Sequence, residues 1–220
     1  MKVIHTLKHS IKSRGLKETF LIIINDLLFS LKHRVKFNES IPLNDLNIVS
    51  SNRINGVLYQ SSSYYYVKLA FQNLPIDFKH SSIIDFGSGK GNVLLMLNRL
   101  GFKKILGIEF AEDLVLVSKK IIINIQKRNY DTEIGVICTD AVQYDIPSTY
   151  DVFFFYNPFN RSVFEKVLIN IERSLELKKR TIYIIYINAV ISEEMFLKFN
   201  YKRIYSHSSK IKTEILILTK

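Results

Sequence analysis

The residues of this chain that could do chemistry stand at the ends of apolar runs. The first group is "DFGSGKG", Asp85 to Gly91, directly after the dry stretch "SSII". Gly87, Gly89 and Gly91 let backbone approach a ligand closely and permit turn angles that a side chain would forbid. Ser88 sits between the first two, and "NVLLMLNRLG" follows at once. A helix starting there would aim its free N–H groups at the same place. Glu109, with Phe110 beside it, closes "KILGIEF" eighteen residues after Gly91. Asp140, next to the small Ala141, follows "EIGVICT", and "FFFYNPFN" then offers Tyr156, Asn157 and Pro158. A carboxylate can accept both hydroxyls of a sugar diol or face a cation. Each of these acids has a plainer reading as a helix cap or turn residue.

These groups need a frame that gathers strand ends. From residue 82 onward, apolar runs of strand length alternate with helical patterns. "IIDF", "KILGIEF", "EIGVICTD", "YDVFFFYNPF" and "RTIYIIYIN" read as strands, and the segments between them as helices. Such alternation predicts an α/β fold, a doubly wound, mostly parallel seven-stranded sheet. The near-continuous apolar strands agree, since they would be buried on both faces. "YKRIYSH" and "KTEILILTK" are close enough to pair as an antiparallel C-terminal hairpin. In a sheet of this kind ligands sit beyond the carboxyl ends of the strands, where the residues above lie.

Residues 1–55 read differently, as a basic helical extension and connector ahead of the main domain, 56–220. The first forty carry eight lysines and arginines against three acids. Between the basic flanks lies "FLIIINDLLFSL", residues 20–31, too short to span a bilayer and lacking the cleavage site of a signal peptide. We expect a helix packed on the main domain; a membrane-interface helix meeting anionic headgroups and a partner-binding helix are the other readings. Residues 37–63, with Pro42 and Gly56, read as an irregular connector, and "SYYYVKLAFQNL" as a helix stopped by Pro75.

The whole chain has 220 residues, 47% apolar and 23% charged, with a net charge of +11 and a pI near 9.6. That balance excludes disorder throughout and suits one domain with additions. The basicity suggests an anionic partner, RNA or a membrane surface, although an Ile-, Lys- and Asn-rich chain acquires some of it from genome composition. The lone Cys138 permits no internal disulfide and reads as a small core residue; the localisation expected is cytoplasmic, with membrane association through residues 1–40 as the variant. The five histidines show no metal-ligand spacing, so no metal is expected.

Three nucleotide ligands compete for the glycine turn. A phosphate-cradling loop needs G-x-x-x-x-G-K-[ST], but Lys90 is followed by Gly91 and the position five before Gly89 is Ile84. A dinucleotide turn needs G-x-G-x-x-G, and the third site is Asn92. What remains is a nucleoside without phosphate, carrying a cation for the acid that precedes the glycines. "DFGSGKG" resembles motif I of the class I, Rossmann-like methyltransferases that use S-adenosyl-L-methionine. The resemblance implies that Asp85 lies near the amino group of the cofactor, that Gly87, Ser88, Gly89 and Gly91 line its amino-acid tail, that Glu109 binds its ribose and that Asp140 and Ala141 receive its adenine. Over roughly residues 55–190, "LYQSSSYYY", "IIDFGSGKGNVLL", "ILGIEF", "YNPF", "NIERSL" and "YIIYIN" are similar to a small bacterial group distantly related to the non-SET histone-lysine methyltransferases. By that likeness Tyr59 and Ser62 also touch the cofactor.

"YNPF" resembles the N-P-P-[YF] element of methyltransferases that act on amino or amide nitrogen. An Asn side-chain oxygen and a following backbone carbonyl can accept the two protons of an attacking nitrogen, and proline supplies no competing N–H. Phe159 replaces the second proline and Asn160 the stacking aromatic, which argues against DNA adenine; Tyr156 and Phe159 could instead form an apolar sleeve for a lysine stem or flank a flat substrate. The reading is a methyltransferase with Asn157, Pro158 and Tyr156 at the reacting centre and a protein amine or amide as acceptor. A small-molecule or glycan-precursor acceptor, an NAD-linked oxidoreductase, and a non-catalytic cofactor-binding module recruited to RNA or membrane are the alternatives.

Overall fold

A computed structural model describes residues 2–35, 40–48, 59–128, 131–210 and 213–220; Gly56 and much of the expected connector lie outside them. The five apolar runs form parallel strands: β3 (Ser82–Phe86), β4 (Lys104–Glu109), β5 (Glu133–Cys138), β6 (Val152–Tyr156) and β7 (Tyr183–Ile187). β8 (Lys202–Ser208) and β9 (Thr213–Thr219) close the sheet antiparallel, and the seven-stranded order is β5-β4-β3-β6-β7-β9-β8. Two short strands, β1 (Ser40–Ile41) and β2 (Tyr59–Gln60), pair separately.

Register explains the composition of the central strands. Asp85 on β3 lies between Gly107 of β4 and Phe154 of β6, so the strand is flanked on both sides, and with a core layer on each face Ile83 to Phe86 are buried. Alternate residues of β6 feed opposite layers. Phe154 packs into the layer under α3 (Tyr64–Gln72), α4 (Asn92–Leu100) and α5 (Glu112–Gln126). Phe153 and Phe155 enter the layer under α6 (Arg161–Leu177) and α7 (Glu193–Lys198). β5 is one edge of the sheet, and its burial alternates only weakly. Cys138, expected in the core, is therefore exposed: the apolar run that suggested burial ends on a strand with one free side.

The N-terminal segment folds as two helices, α1 (Lys2–Arg14) and α2 (Leu16–His33), separated at Gly15. Phe29 joins the core layer beneath α3, as expected of a helix packed on the main domain. Asp26 accepts the Ser63 hydroxyl at 3.1 Å and the Tyr65 N–H at 3.0 Å, which caps the start of α3. Burial pushes the Asp26 carboxyl up to about 6 against those two bonds. Arg14 pairs with Glu214, and Glu18 accepts hydrogen bonds from Tyr66 and His207. No described helix is long and apolar enough to cross a membrane.

Candidate active site

The glycine turn leaves β3 and is tied to its neighbour. The N–H groups of Gly87 and Ser88 both donate to the Ile108 carbonyl, at 2.8 and 3.1 Å. The turn continues through Gly89 and Gly91, and α4 begins at Asn92. A side chain on Gly87 would collide with Pro158, and one on Gly89 with the Tyr59 ring. Bare backbone is therefore required here by two neighbours from distant parts of the chain. Ser88 turns its hydroxyl down against Gly107, where it is buried without a partner.

Two clefts open over this turn. The first, about 390 Å³, is walled by Ile108, Thr139, Asp140, Ala141, Phe159 and Val163. The second, about 530 Å³, is walled by Leu46, Tyr59, Gln60, Leu114, Tyr156, Asn157 and Asn188. They share Gly87, Glu109, Phe110 and Pro158. Of the expected site residues, Gly87, Glu109, Phe110, Asp140, Ala141, Tyr59, Tyr156, Asn157 and Pro158 thus line one or both of two adjoining clefts. Ser62, Ser88, Gly89, Gly91 and Asp85 line neither cleft. Tyr156 and Phe159 do not form one sleeve. Asn157 adopts φ +42° and turns the chain about Pro158, so the two rings face different clefts.

Glu109 is buried yet well supplied. One oxygen accepts the N–H groups of Phe110 and Ala111, each at 2.9 Å, and the other accepts Gly89 N–H at 2.8 Å. A carboxylate offers about four acceptor directions, so one remains, on the oxygen that faces Gly89. Burial raises the Glu109 carboxyl and the three backbone donors oppose the rise. Asp85 is the contrasting case. It is fully enclosed, its Oδ2 has no partner, and burial followed by the charge of Glu109 holds its carboxyl well above the usual range. Of the two acids, Asp85 is the more strongly raised, because it lacks the donors that Glu109 has. An enclosed carboxyl with an orphaned oxygen, behind a turn that must be glycine, fits a ligand that carries an ammonium group. Asp140 forms an Asx turn, its Oδ1 accepting Val142 N–H at 2.9 Å, while the residue lines the first cleft.

Behind the second cleft, the buried Tyr186 donates its hydroxyl to Asn157 Oδ1 at 3.4 Å, and burial pushes the Tyr156 phenol up to about 12. Asn188, at the end of β7 with φ +55°, escaped the sequence reading. Applying the strand-end rule once more, to "YIIYIN", would have found it. Leu46 and Leu114 had no such signal: residues 46–48 arrive through the Ile48–Ala111 bridge and the bond of Asn47 N–H to Asp113. Asn160 has a plain structural duty, accepting Val163 N–H at 3.1 Å as the cap of α6.

No protein-family model matches the chain, and no curated protein matches it. Solved structures do. A SAM-dependent methyltransferase from Aquifex aeolicus superposes with a TM-score of 0.52 at 13% identity, covering 70% of this chain and 88% of its own. Magnesium protoporphyrin IX methyltransferase from Synechocystis PCC 6803, solved with bound SAM, gives 0.50 at 13% identity over 70% of this chain and 76% of its own. The StiE O-MT structure gives 0.50 at 17% identity over 64% of this chain; the chain spans about half, 52%, of that structure's length. The seven-stranded sheet with its antiparallel terminal hairpin is therefore the Rossmann-like fold that these methyltransferases share.

Proposed function

We propose that this chain is an S-adenosylmethionine-dependent methyltransferase acting on a nitrogen acceptor. The observation that carries the reading is the pair of clefts joined at Gly87, Glu109 and Pro158, one walled by Asp140 and Ala141, the other by Asn157. The shared fold supports the cofactor class, since the Synechocystis structure of that fold holds SAM.

The first cleft suits a flat base beside Ala141, with Asp140 at its rim. The free acceptor direction of Glu109, at the junction, suits a ribose hydroxyl. The buried Asp85 suits the ammonium group, with the glycine turn yielding to admit it. When bound, the cofactor supplies a methyl group on a positively charged sulfur. Tyr59, resting on the turn at Gly89, would close over its tail.

The choice of nitrogen follows from what the second cleft lacks. A hydroxyl acceptor needs a base to take its proton during attack. Glu109 is the one carboxylate among the described residues of this wall, and its oxygens already hold three backbone bonds. Tyr156 stays protonated at neutral pH. A neutral amine would need no such base, because it attacks through a free lone pair and its product ammonium can shed a proton to water. Asn157 Oδ1 and the neighbouring carbonyl would accept the amine protons and aim the lone pair. Within the protein and small-molecule classes, an amine-bearing acceptor is the reading we hold.

The test uses purified chain, tritium-labelled cofactor and panels of peptides, amines and alcohols. Label should enter amines or amides in the wild type and fall about 100-fold in Asn157→Ala, a loss comparable to removing one aligned polar group from a reacting centre. Transfer to hydroxyls alone would refute the nitrogen reading; absence of heat on adding S-adenosylhomocysteine to folded protein would refute the cofactor.

A further inference from the structure

The outer side of α2 is unlike a solvated helix face. Leu16, Phe20, Ile23, Leu27 and Leu31 are all exposed, with Leu16 at 73%, Phe20 at 64% and Leu31 at 70% of full accessibility. At 3.6 residues per turn these five fall within an arc of about 80°. Leu28, also exposed, lies just beside them. A contiguous apolar stripe along an 18-residue helix, with the polar face missing, is the pattern of a surface that something covers.

The charges nearest the stripe select the occupant. Lys17 and Lys32 flank its two ends and are exposed, and Lys8 and Lys12 of α1 are exposed as well. Residues 2–34 hold two carboxylates, and both turn inward: Asp26 caps α3, and Glu18 binds Tyr66 and His207. A second copy paired antiparallel would bring lysine against lysine with no outward acid between them, whereas helix pairs need opposite charges beside their apolar seam. A nucleic-acid backbone would use the lysines and leave the leucines in water. An anionic bilayer surface satisfies both features, taking the leucines into its acyl boundary and the lysines among its headgroups. We infer that α2 lies in the plane of an anionic lipid surface and docks the protein there.

This placement does not rest on the methyl-transfer reading. It bears on the site through one connection: Asp26 holds Ser63 and Tyr65, next to the segment that carries Tyr59. The docking helix is thereby fixed to the start of α3 at Ser63, four residues past Tyr59.

Flotation of the full chain with vesicles provides the test. The chain should float with mixed phosphatidylcholine and phosphatidylglycerol vesicles, and much less with phosphatidylcholine alone. Phe20→Glu with Leu27→Glu should abolish flotation. Lys17→Gln with Lys32→Gln should weaken it roughly 25-fold, about fivefold per lysine. Both variants should keep the wild-type melting curve and the wild-type heat with S-adenosylhomocysteine, because neither pair touches the core or the clefts. Failure of the wild type to float overturns the inference. So does flotation indifferent to Phe20 and Leu27, a concentration-dependent dimer dissolved by the same pair, or retention of RNA without vesicle binding.

Discussion

Replacing Gly87 with alanine probes the junction between the two clefts. Gly87 has φ +75°, and an added Cβ would lie 2.5 Å from Pro158 Cβ. The positive φ costs a side-chain-bearing residue roughly 1–2 kcal/mol. The overlap adds about 1–3 kcal/mol, as overpacking does where a neighbour cannot rotate away, and a proline ring cannot. Together the variant should lose about 2–5 kcal/mol of stability, a fall in urea midpoint of roughly 1–2 M for an ordinary denaturant slope. Removing the obstacle separates the two parts. In a Pro158→Gly background the backbone strain survives and the overlap disappears, so Gly87→Ala should cost only about 1–2 kcal/mol there. Urea unfolding of the four proteins completes the cycle, with an expected coupling of about 1–3 kcal/mol. Equal costs in the two backgrounds would show that Gly87 and Pro158 do not meet, and the account of one site built from the β3 and β6 ends would fall with that contact.

Three further outcomes follow from the same geometry. Asp85→Asn should leave the ligand-free protein as stable or more stable, since it removes a buried acid with an orphaned oxygen, yet weaken S-adenosylhomocysteine binding by about 10- to 100-fold, the worth of a charge-assisted bond; a drop in melting temperature without loss of affinity would contradict this. Pairing with an ammonium group would need Asp85 ionised, while burial in the free protein raises its carboxyl well above the usual range, so affinity should rise with pH and titrations in buffers of different ionisation heat should register proton release; flat affinity would refute the assignment. Asp26 is raised to about 6 in the folded protein, so folding favours its protonated form; stability contributed below the unfolded value near 4 is lost as pH rises through 6, and Asp26→Asn, keeping the acceptor oxygen, should gain about 1–3 kcal/mol at pH 7 by chemical unfolding, against a loss for Asp26→Ala.

Why the strand ends were readable and other walls were not has a topological answer. From β3 the chain crosses to β4 on one side and later returns to β6 on the other. A crevice must open where the strand order reverses, so residues just after β3, β4, β5 and β6 converge whatever the helices between them do. Periodicity alone located those ends, and with them Gly87, Glu109, Asp140 and Asn157. The rule applied to β7 reaches Asn188 without further information. Tyr59 and Leu46 are different, because what brings them in is pairing across the chain: a two-residue strand, an isolated bridge and the bond of Asn47 N–H to Asp113. No local pattern encodes such meetings, and only resemblance suggested Tyr59. Cys138 failed for a related reason, since an apolar run looks the same on an edge strand as on a central one. Asp85 shows the limit from the other direction: its type and place were legible, but its enclosure depends on Gly107 and Phe154 lying alongside. That enclosure is what raises the carboxyl of Asp85, because burial disfavours its charged form and no donor stands against its Oδ2.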